Sequence, residues 1–271
     1  MPYFRDKHAA ITGAASGIGR ALAQQLHREG CVLFLSDVNE SGLAATTASL
    51  RGEAPWHSAV VDVAQRHAVE DWAAAVASET TGLDLLVNNA GVAYIGDARA
   101  TSYEDFHWLM NINFWGVVHG CTAFLPLLER RQRAHLVNIS SLFGLISVPT
   151  QAAYNASKFA VRGYSEALRQ ELDLAGSSVK LCCVHPGGVA TQIARSARNA
   201  DASADPEAQH TAFERIARSS AESAARRILD AARRGRPRLL IGVDARWLDR
   251  LQRLFPALYP RLLRPLLPEA D

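Results

Sequence analysis

His8-Ala9-Ala10-Ile11-Thr12-Gly13-Ala14-Ala15-Ser16-Gly17-Ile18-Gly19 runs from an apolar segment into a glycine-rich turn and then into a helical pattern. The reading of this stretch decides the fold. A strand over His8–Ala14 feeds a helix over Gly17–Glu29 that stops at Gly30. Small residues at such a junction leave backbone N–H groups and the helix dipole open to a ligand, which suits a pyrophosphate. The second apolar run, Val32–Asp37, ends in an acid twenty residues beyond Gly17. A carboxylate there can bind both hydroxyls of an adenosine ribose and would repel a 2′-phosphate. Ser16, Val38 and Asn39 offer no cation to reverse that preference, so NAD is favoured over NADP. The competing reading makes Asp37 the N-cap of the helix that follows.

The same alternation continues outward from this unit. A helix over about Asn39–Leu50 is followed by a third strand ending at Val60-Val61-Asp62 and a helix from about Gln65. Leu83–Val87 reads as a fourth strand, Tyr103–Arg131 as a long helix and Leu136–Ser140 as a fifth strand. A helix up to about Leu174, a sixth strand over Val179–His185 and a seventh over Arg238–Ile241 complete the pattern. Strands alternating with helices of this length predict an α/β fold, a Rossmann-like doubly wound parallel sheet of about seven strands with helices on both faces. No internal stretch resembles a linker. The predicted organisation is therefore a single catalytic domain, 1–243, with a helical, amphipathic C-terminal extension, 244–271. Arg195–Pro206 has no apolar periodicity and is expected to be a mobile loop.

Bulk properties exclude several classes. The 271 residues are 48% hydrophobic and 21% charged, with a formal net charge of +2, the balance of a globular protein with an ample core. No long block of one sign runs along the chain, so nucleic-acid binding has no electrostatic footprint. No apolar run approaches the roughly 20 residues of a spanning helix, and the N-terminus lacks signal-peptide character. The cysteines at 31, 121, 182 and 183 have no metal-ligand spacing, so no metal is expected. Adjacent Cys182 and Cys183 should point to opposite faces of their strand. Reduced thiols and a cytoplasmic location follow as expectations.

Tyr154-Asn155-Ala156-Ser157-Lys158 carries the candidate chemistry. A spacing of four puts phenol and ammonium on one helix face. A nearby cation favours the phenolate and can lower a tyrosine pKa by roughly one to three units. Arg supplies nearly all positive charge, and Lys occurs only at 7, 158 and 180. A compact ammonium at 158 is thus a departure from the chain's own habit.

Together these segments resemble the short-chain dehydrogenase/reductase family over nearly the whole chain, to about residue 242. The turn has the family's TGxxxGxG spacing, and Asn88-Asn89-Ala90-Gly91 matches its NNAG motif. Asn113-Phe114-Trp115-Gly116 is similar to its N-x-x-G segment, Asn111 being the alternative match. Asn138-Ile139-Ser140-Ser141 is similar to its serine motif, and Pro186-Gly187-Gly188-Val189-Ala190-Thr191 to its PGxVxT segment. Ser141 stands thirteen residues before Tyr154, the family's usual separation, which selects it over Ser140.

The resemblance implies an NAD-dependent oxidoreductase that interconverts a secondary alcohol and a ketone. It implies Tyr154 as general acid or base, Lys158 lowering its pKa, Ser141 donating to the substrate oxygen and Asn113 holding a relay water. Cofactor contacts are implied for Gly13, Ser16, Gly17, Ile18, Gly19, Asp37, Asp62, Val63, Asn89, Ala90, Gly91, Tyr154, Lys158, Pro186, Gly187, Val189 and Thr191. Asn113 could instead cap or bend its helix, and Thr191 could cap the next one. Substrate is expected against Ser141, Phe143, Gln151, Tyr154 and Gly187, with Tyr94, Ile95, Leu145, Pro149 and Gly188 nearby. These walls are mostly apolar and lack a cation, which predicts a neutral, largely apolar alcohol or ketone.

The tail departs from the commonest family pattern. Trp247, Leu248, Leu251, Leu254, Phe255 and Leu258 recur at helical spacing between Arg246, Arg250 and Arg253, and prolines then interrupt the segment. The extension is expected to pack on its own subunit or on a partner in a homo-oligomer, dimer or tetramer. A weak contact with a membrane surface is the other reading. It would fit a peripheral dehydrogenase of steroid-like or lipid substrates. A non-catalytic NAD(H) sensor is the competing function from another class. A sugar-nucleotide epimerase would have the TGxxGxxG turn and a larger C-terminal domain, which this chain lacks.

Overall fold

Seven strands pair in parallel, in the order Arg238–Ile241, Val179–Pro186, Ala134–Ile139, Leu85–Asn88, His8–Thr12, Val32–Asp37 and Trp56–Val60. They are β1 (His8–Thr12), β2 (Val32–Asp37), β3 (Trp56–Val60), β4 (Leu85–Asn88), β6 (Ala134–Ile139), β7 (Val179–Pro186) and β11 (Arg238–Ile241). The computed structural model describes residues 2–191, 193, 196–200 and 219–263. Helices α1 (Gly17–Arg28), α2 (Glu40–Ala48), α3 (Arg66–Glu79), α4 (Tyr103–Met110), α5 (Gly116–Leu128), α6 (Ala152–Leu174) and α7 (Ala221–Arg233) connect them. After β11 come α8 (Val243–Leu254) and α9 (Tyr259–Leu263). The expected Rossmann-like doubly wound sheet is the fold of this chain.

Each central strand is buried on both faces, so alternate residues serve two separate cores. Ile11, Leu33, Leu35, Val87, Val137 and Val184 face α1 and α7. Ala10, Phe34, Leu86, Leu136 and Leu181 face α3, α5 and α6. This two-sided burial explains why the strands read as continuous apolar runs rather than alternating ones. Cys182 joins the first core, whereas Cys183 faces Ser165 of α6, so the pair does straddle the sheet. All four cysteines are free and buried, and burial pushes the thiols of Cys121, Cys182 and Cys183 up to about 12.

Element ends shift in instructive ways. The third strand spans Trp56–Val60 and stops at the first residue of its expected end, Val60-Val61-Asp62. It is an edge strand with most side chains exposed, and the apolar Val61 and Val63 pack beyond its end. The fourth strand starts at Leu85, and the fifth occupies Ala134–Ile139. The long helix ends at Leu128 and is broken by a π-helical turn at Asn111–Trp115. Helix α7 has no counterpart among the expected elements, although Ser220 caps it and Ala224, Ala225, Ile228, Leu229 and Ala232 form a buried stripe. The expected mobile loop lies largely outside the described residues, as do Pro265 and Pro268. Within it, Arg198–Asn199 forms a short strand, β9, on β5 (Tyr94–Ile95), and β8 (Val189–Ala190) pairs with β10 (Ser219–Ser220). Among the described residues no helix is long and apolar enough to cross a membrane.

A buried amide chain ties the central strands to the second core. Asn88 Nδ2 donates to Asn138 Oδ1 (2.9 Å), and Asn138 Nδ2 donates to Ser165 Oγ (3.0 Å). Helix α5 reaches this chain at Gly120, where a Cβ would stand 2.1 Å from Asn88 Oδ1. Gly120→Ala should therefore destabilise the fold by roughly 1–3 kcal/mol through overpacking. A lowered urea midpoint with unchanged slope is the expected result; an unchanged midpoint would show that α5 can move aside freely.

Candidate active site

The chain runs outward from β1 to β3 and then returns to β4 on the other side of β1. That reversal opens a crevice at the carboxyl ends of the strands, the usual ligand position in open α/β sheets. The glycine turn forms one wall. Gly13 (φ 67°) and Gly17 (φ 50°) adopt left-handed conformations that disfavour a side chain. A Cβ on Gly13 would stand 2.7 Å from Ala90 Cα, and one on Gly19 would stand 2.1 Å from Gly13 O. Ser16 caps α1 without a side-chain hydrogen bond, and Ile18 packs against the first core.

Asn89 locks this turn in place. Its Nδ2 donates to the carbonyls of Thr12 and Gly13 (both 3.0 Å), while Thr12 Oγ1 accepts from the N–H groups of Asn89 and Ala90. The side-chain amide of Asn89 therefore serves the turn itself. At the end of β2, Asp37 Oδ2 accepts from Ala15 N and Oδ1 from Asn39 N, each at 2.9 Å. Asn39, not Asp37, caps α2. Asp62 is exposed after β3 and accepts from Ala64 N, and Val63 is buried against Gly116.

The candidate catalytic groups meet beside Gly91. A Cβ there would lie 3.1 Å from Asn113 Oδ1 and 3.3 Å from Lys158 Nζ. The π-helical turn carries Asn113 inward and leaves Asn111 exposed. Asn113 is fully buried, accepts from Val92 N (2.8 Å) and donates to Val92 O (3.0 Å) and Ser157 Oγ (3.1 Å). It thus holds the segment after β4, a role that the family pattern did not reveal. Single π turns of this kind are frequent at functional sites.

Ser140 and Ser141 separate cleanly. Ser140 Oγ is buried and donates to Lys158 O (2.8 Å), whereas Ser141 Oγ accepts from Phe143 N and hydrogen-bonds the Tyr154 hydroxyl. Lys158 Nζ lies 5.7 Å from the Tyr154 ring centroid and donates to Ile139 O at 3.2 Å. The expected depression of the phenol by this lysine is not what the protein produces. Burial pushes Tyr154 up to about 12, with the Ser141 hydrogen bond opposing it, and burial brings Lys158 down to about 8. Desolvation leads both shifts, and the ammonium is directed at the Ile139 carbonyl rather than at the phenol.

The remaining walls come from distant segments. Phe143 packs edge-on against Tyr154 (6.2 Å between centroids). Gln151 precedes α6 and bridges to Gly96, whose N–H donates to Thr150 O. Thr150 itself holds a left-handed conformation (φ 61°), a strain typical of functional walls. Pro186 ends β7, Val189 is buried, and the Thr191 side chain faces the Cβ position of Gly17 at 3.1 Å.

Two anchors from the C-terminal helices were not legible in any motif. Asp244 Oδ2 accepts from Gly188 N (2.9 Å) and fills the space a side chain on Gly187 would need. Tyr259 OH accepts from Ser147 N (3.0 Å), and Tyr259, Leu263 and Ala245 pack on Leu142 and Ile146. The extension therefore packs on its own subunit, against the segment joining Ser141 to Tyr154. The groups involved are up to 112 residues apart, so no local signal announces them.

The chain belongs to the short-chain dehydrogenase family, whose sequence profile matches residues 7–202. It is 45% identical over 268 residues to SadH of Mycobacterium tuberculosis, a protein named as an oxidoreductase, covering 97% of this chain and 96% of that one. A protein of Bacteroides thetaiotaomicron named 3-ketodihydrosphingosine reductase is 37% identical, over 65% of this chain and 62% of its own. The crystal structure of a short-chain dehydrogenase/reductase from Burkholderia phymatum in complex with NAD superposes with a TM-score of 0.86, at 32% identity and 100% coverage of both chains. The chain is accordingly an oxidoreductase of this family.

Two histidines make stability depend on pH. His185 lies under the site with Nδ1 on Ser141 O (3.0 Å), and His135 meets Tyr3 OH at 2.8 Å. Burial lowers both to about 4. In the unfolded chain they titrate near pH ~6.5. The unfolded state therefore binds more protons between those values, so stability is full above about pH 6.5 and is lost as pH falls toward 4. The urea midpoint should fall over that range, and His135→Gln should flatten part of the fall. A wild-type midpoint that holds constant from pH 7 to about 4.5 would contradict the assignment.

Proposed function

We propose that this protein interconverts a secondary alcohol and a ketone on a largely apolar molecule, with NAD as hydride carrier. The observation that carries the reading is the convergence of Ser141, Tyr154, Lys158 and Asn113 beside the glycine turn at the sheet's reversal point. The crevice suits a dinucleotide: its turn has glycine at 13, 17 and 19, Ser16 leaves the first amides of α1 without a side-chain cap, and Asp37 ends β2. The nicotinamide ring, when bound, supplies or takes the hydride. The Burkholderia phymatum structure with NAD bound supports this cofactor class.

Residue roles follow from position and protonation. Tyr154, neutral at physiological pH, stands ready to give its proton to the oxygen of a carbonyl as negative charge develops there. Ser141, already bonded to that phenol, donates to the same oxygen and stabilises it. Lys158, brought to about 8, holds a proton that exchanges near neutrality and can replenish the phenol. Asn113 fixes Val92 and, with Ser157, the wall on which these groups rest. In the oxidative direction Tyr154 must first lose its proton, so that rate should climb with pH.

Apolar walls support the substrate class. Tyr94, Leu109, Ala153 and Phe143 cluster around Tyr154, and the relative named 3-ketodihydrosphingosine reductase points the same way, to a lipophilic ketone. Residues 1–243 would form the catalytic unit, with residues from 244 bracing it through Asp244 and Tyr259. Exposed Trp115 and Phe159 on neighbouring elements support self-association as a dimer or tetramer.

NAD-linked oxidation of a panel of aliphatic, aromatic and steroidal secondary alcohols tests the reading. Tyr154→Phe should lower kcat by at least about 100-fold with NAD affinity retained; a loss under about tenfold would rule out proton transfer by the phenol. Asp37→Ala should raise the Kd for NAD and admit NADP. An unchanged ratio of the two cofactors would refute the ribose assignment.

A further inference from the structure

A second cleft, of about 790 Å³, lies between α7, β11 and α8 and shares no lining residue with the candidate active site. Arg226, Arg227, Arg236, Arg238, Arg246 and Arg250 line it against two carboxylates, Asp230 and Asp249. Both acids are already neutralised. Asp230 pairs with Arg233 (2.6 Å) and Arg234 (3.0 Å), and Asp249 pairs with Arg238 (2.6 Å) and Arg253 (3.2 Å). Arg227, Arg236, Arg246 and Arg250 have no carboxylate partner among the described residues. Arg227 is disfavoured as a cation by burial and by Arg246 close by, so the cleft concentrates positive charge that its own acids leave uncompensated.

An apolar row adjoins these arginines on α8. Spacings of four and seven align Val243, Trp247 and Leu254 along the helix, and all three are exposed, Leu254 by 72% and Trp247 by 54%. Arg246, Arg250 and Arg253 form the next row, and the first two of them line the cleft. The opposite face, with Ala245 and Leu248, is the one that packs on the fold. Phe255, Leu258 and Leu262 extend the exposed apolar row beyond α8. A packed face, an apolar crest and a flanking row of arginines make up the three-part surface of a helix that rests in a membrane interface. A two-fold contact between copies across this face would set arginines against arginines, which disfavours it.

We propose that α8 and α9 dock on an anionic phospholipid surface, the arginine cleft taking headgroup phosphates and the Trp247–Leu254 crest entering the interface. The charge excess selects anionic phosphate over a zwitterionic surface, and the crest selects lipid over a free anion. This goes beyond the reaction proposed above and stands apart from it, since docking is read without turnover.

Sedimentation of the full chain, with NAD present, on phosphatidylcholine vesicles and on vesicles with phosphatidylglycerol in roughly equal parts tests the proposal. Binding should require phosphatidylglycerol and weaken with salt. Each surface arginine contributes roughly a fivefold change in affinity, so Arg250→Gln should lose about that and Arg246→Glu with Arg250→Glu more than about tenfold. Quenching by brominated lipid should be present in the wild type and reduced in Trp247→Phe. Inorganic pyrophosphate serves as the soluble arm. Raised thermal stability with pyrophosphate but no sedimentation on vesicles would assign the arginines to a free anion and overturn the proposal. Equal binding to both vesicle types, no binding to either, or full affinity in the double reversal would overturn it as well. NAD-linked turnover, measured on the same preparations, decides the fate of the reaction separately.

Discussion

The seam between β1 and β4 is the constraint on which the rest depends. Two backbones meet there with no side chain between them: Gly13 faces Ala90, and Gly19 faces Gly13 O. Asn89 and Thr12 then stitch the two turns together through four hydrogen bonds. A side chain on Gly13 would part the strands at the point where the topology reverses, and one on Gly19 would push α1 off the turn. The glycine turn therefore does two jobs at once. It leaves α1 open at its N-terminus, and it lets β4 deliver Gly91 to the place where Asn113 and Lys158 converge.

Burial sets the electrostatics of that convergence. Tyr154 and Lys158 share a helix face, as spacing requires, yet neither is solvated enough to keep its ordinary pKa. Both shift toward their neutral forms, the phenol upward and the ammonium downward. A desolvated pair of this kind resists holding isolated charge and favours passing a proton between neutral partners. The geometry fits a proton donor better than a resting phenolate, which places the weight of the proposed chemistry on the Ser141 hydrogen bond and on exchange through the lysine.

The sheet, its strand count and the residues at strand ends were legible because each rests on a short-range signal. Continuous apolar runs mark strands buried on both faces, and small residues mark the tight turn after β1. Ser141, which the family's usual spacing from Tyr154 favours over Ser140, is the serine of the two that lies beside that phenol, whereas Ser140 is turned to Lys158 O. What stayed hidden depends on tertiary contact. Nothing in Asn111-Ile112-Asn113 announces the π turn that sends Asn113 onto Val92, and local spacing cannot pair Asp244 with Gly188. The inversion of the expected Tyr154 shift has the same origin: spacing reports that a cation is near, while desolvation is a property of the whole packed site. Helix α7 is different, since its apolar stripe and serine cap stand in the sequence.

The C-terminal helices join these two levels. Asp244 and Tyr259 hold the glycine turn after β7 and the segment before Tyr154, so the shape of the proposed substrate wall depends on α8 and α9 being seated. The same α8 turns Trp247 and Leu254 outward beside a row of arginines. An element that only braced the site would need its inner face alone, and exposed Trp and Leu side chains carry a solubility cost on a free surface. Retaining both faces on one helix gives a physical route by which a surface contact at the crest bears on the apolar wall proposed for substrate. A lipophilic substrate and a lipid-facing helix are thus parts of one reading, linked through Asp244, which lies one residue beyond Val243 at the base of that crest.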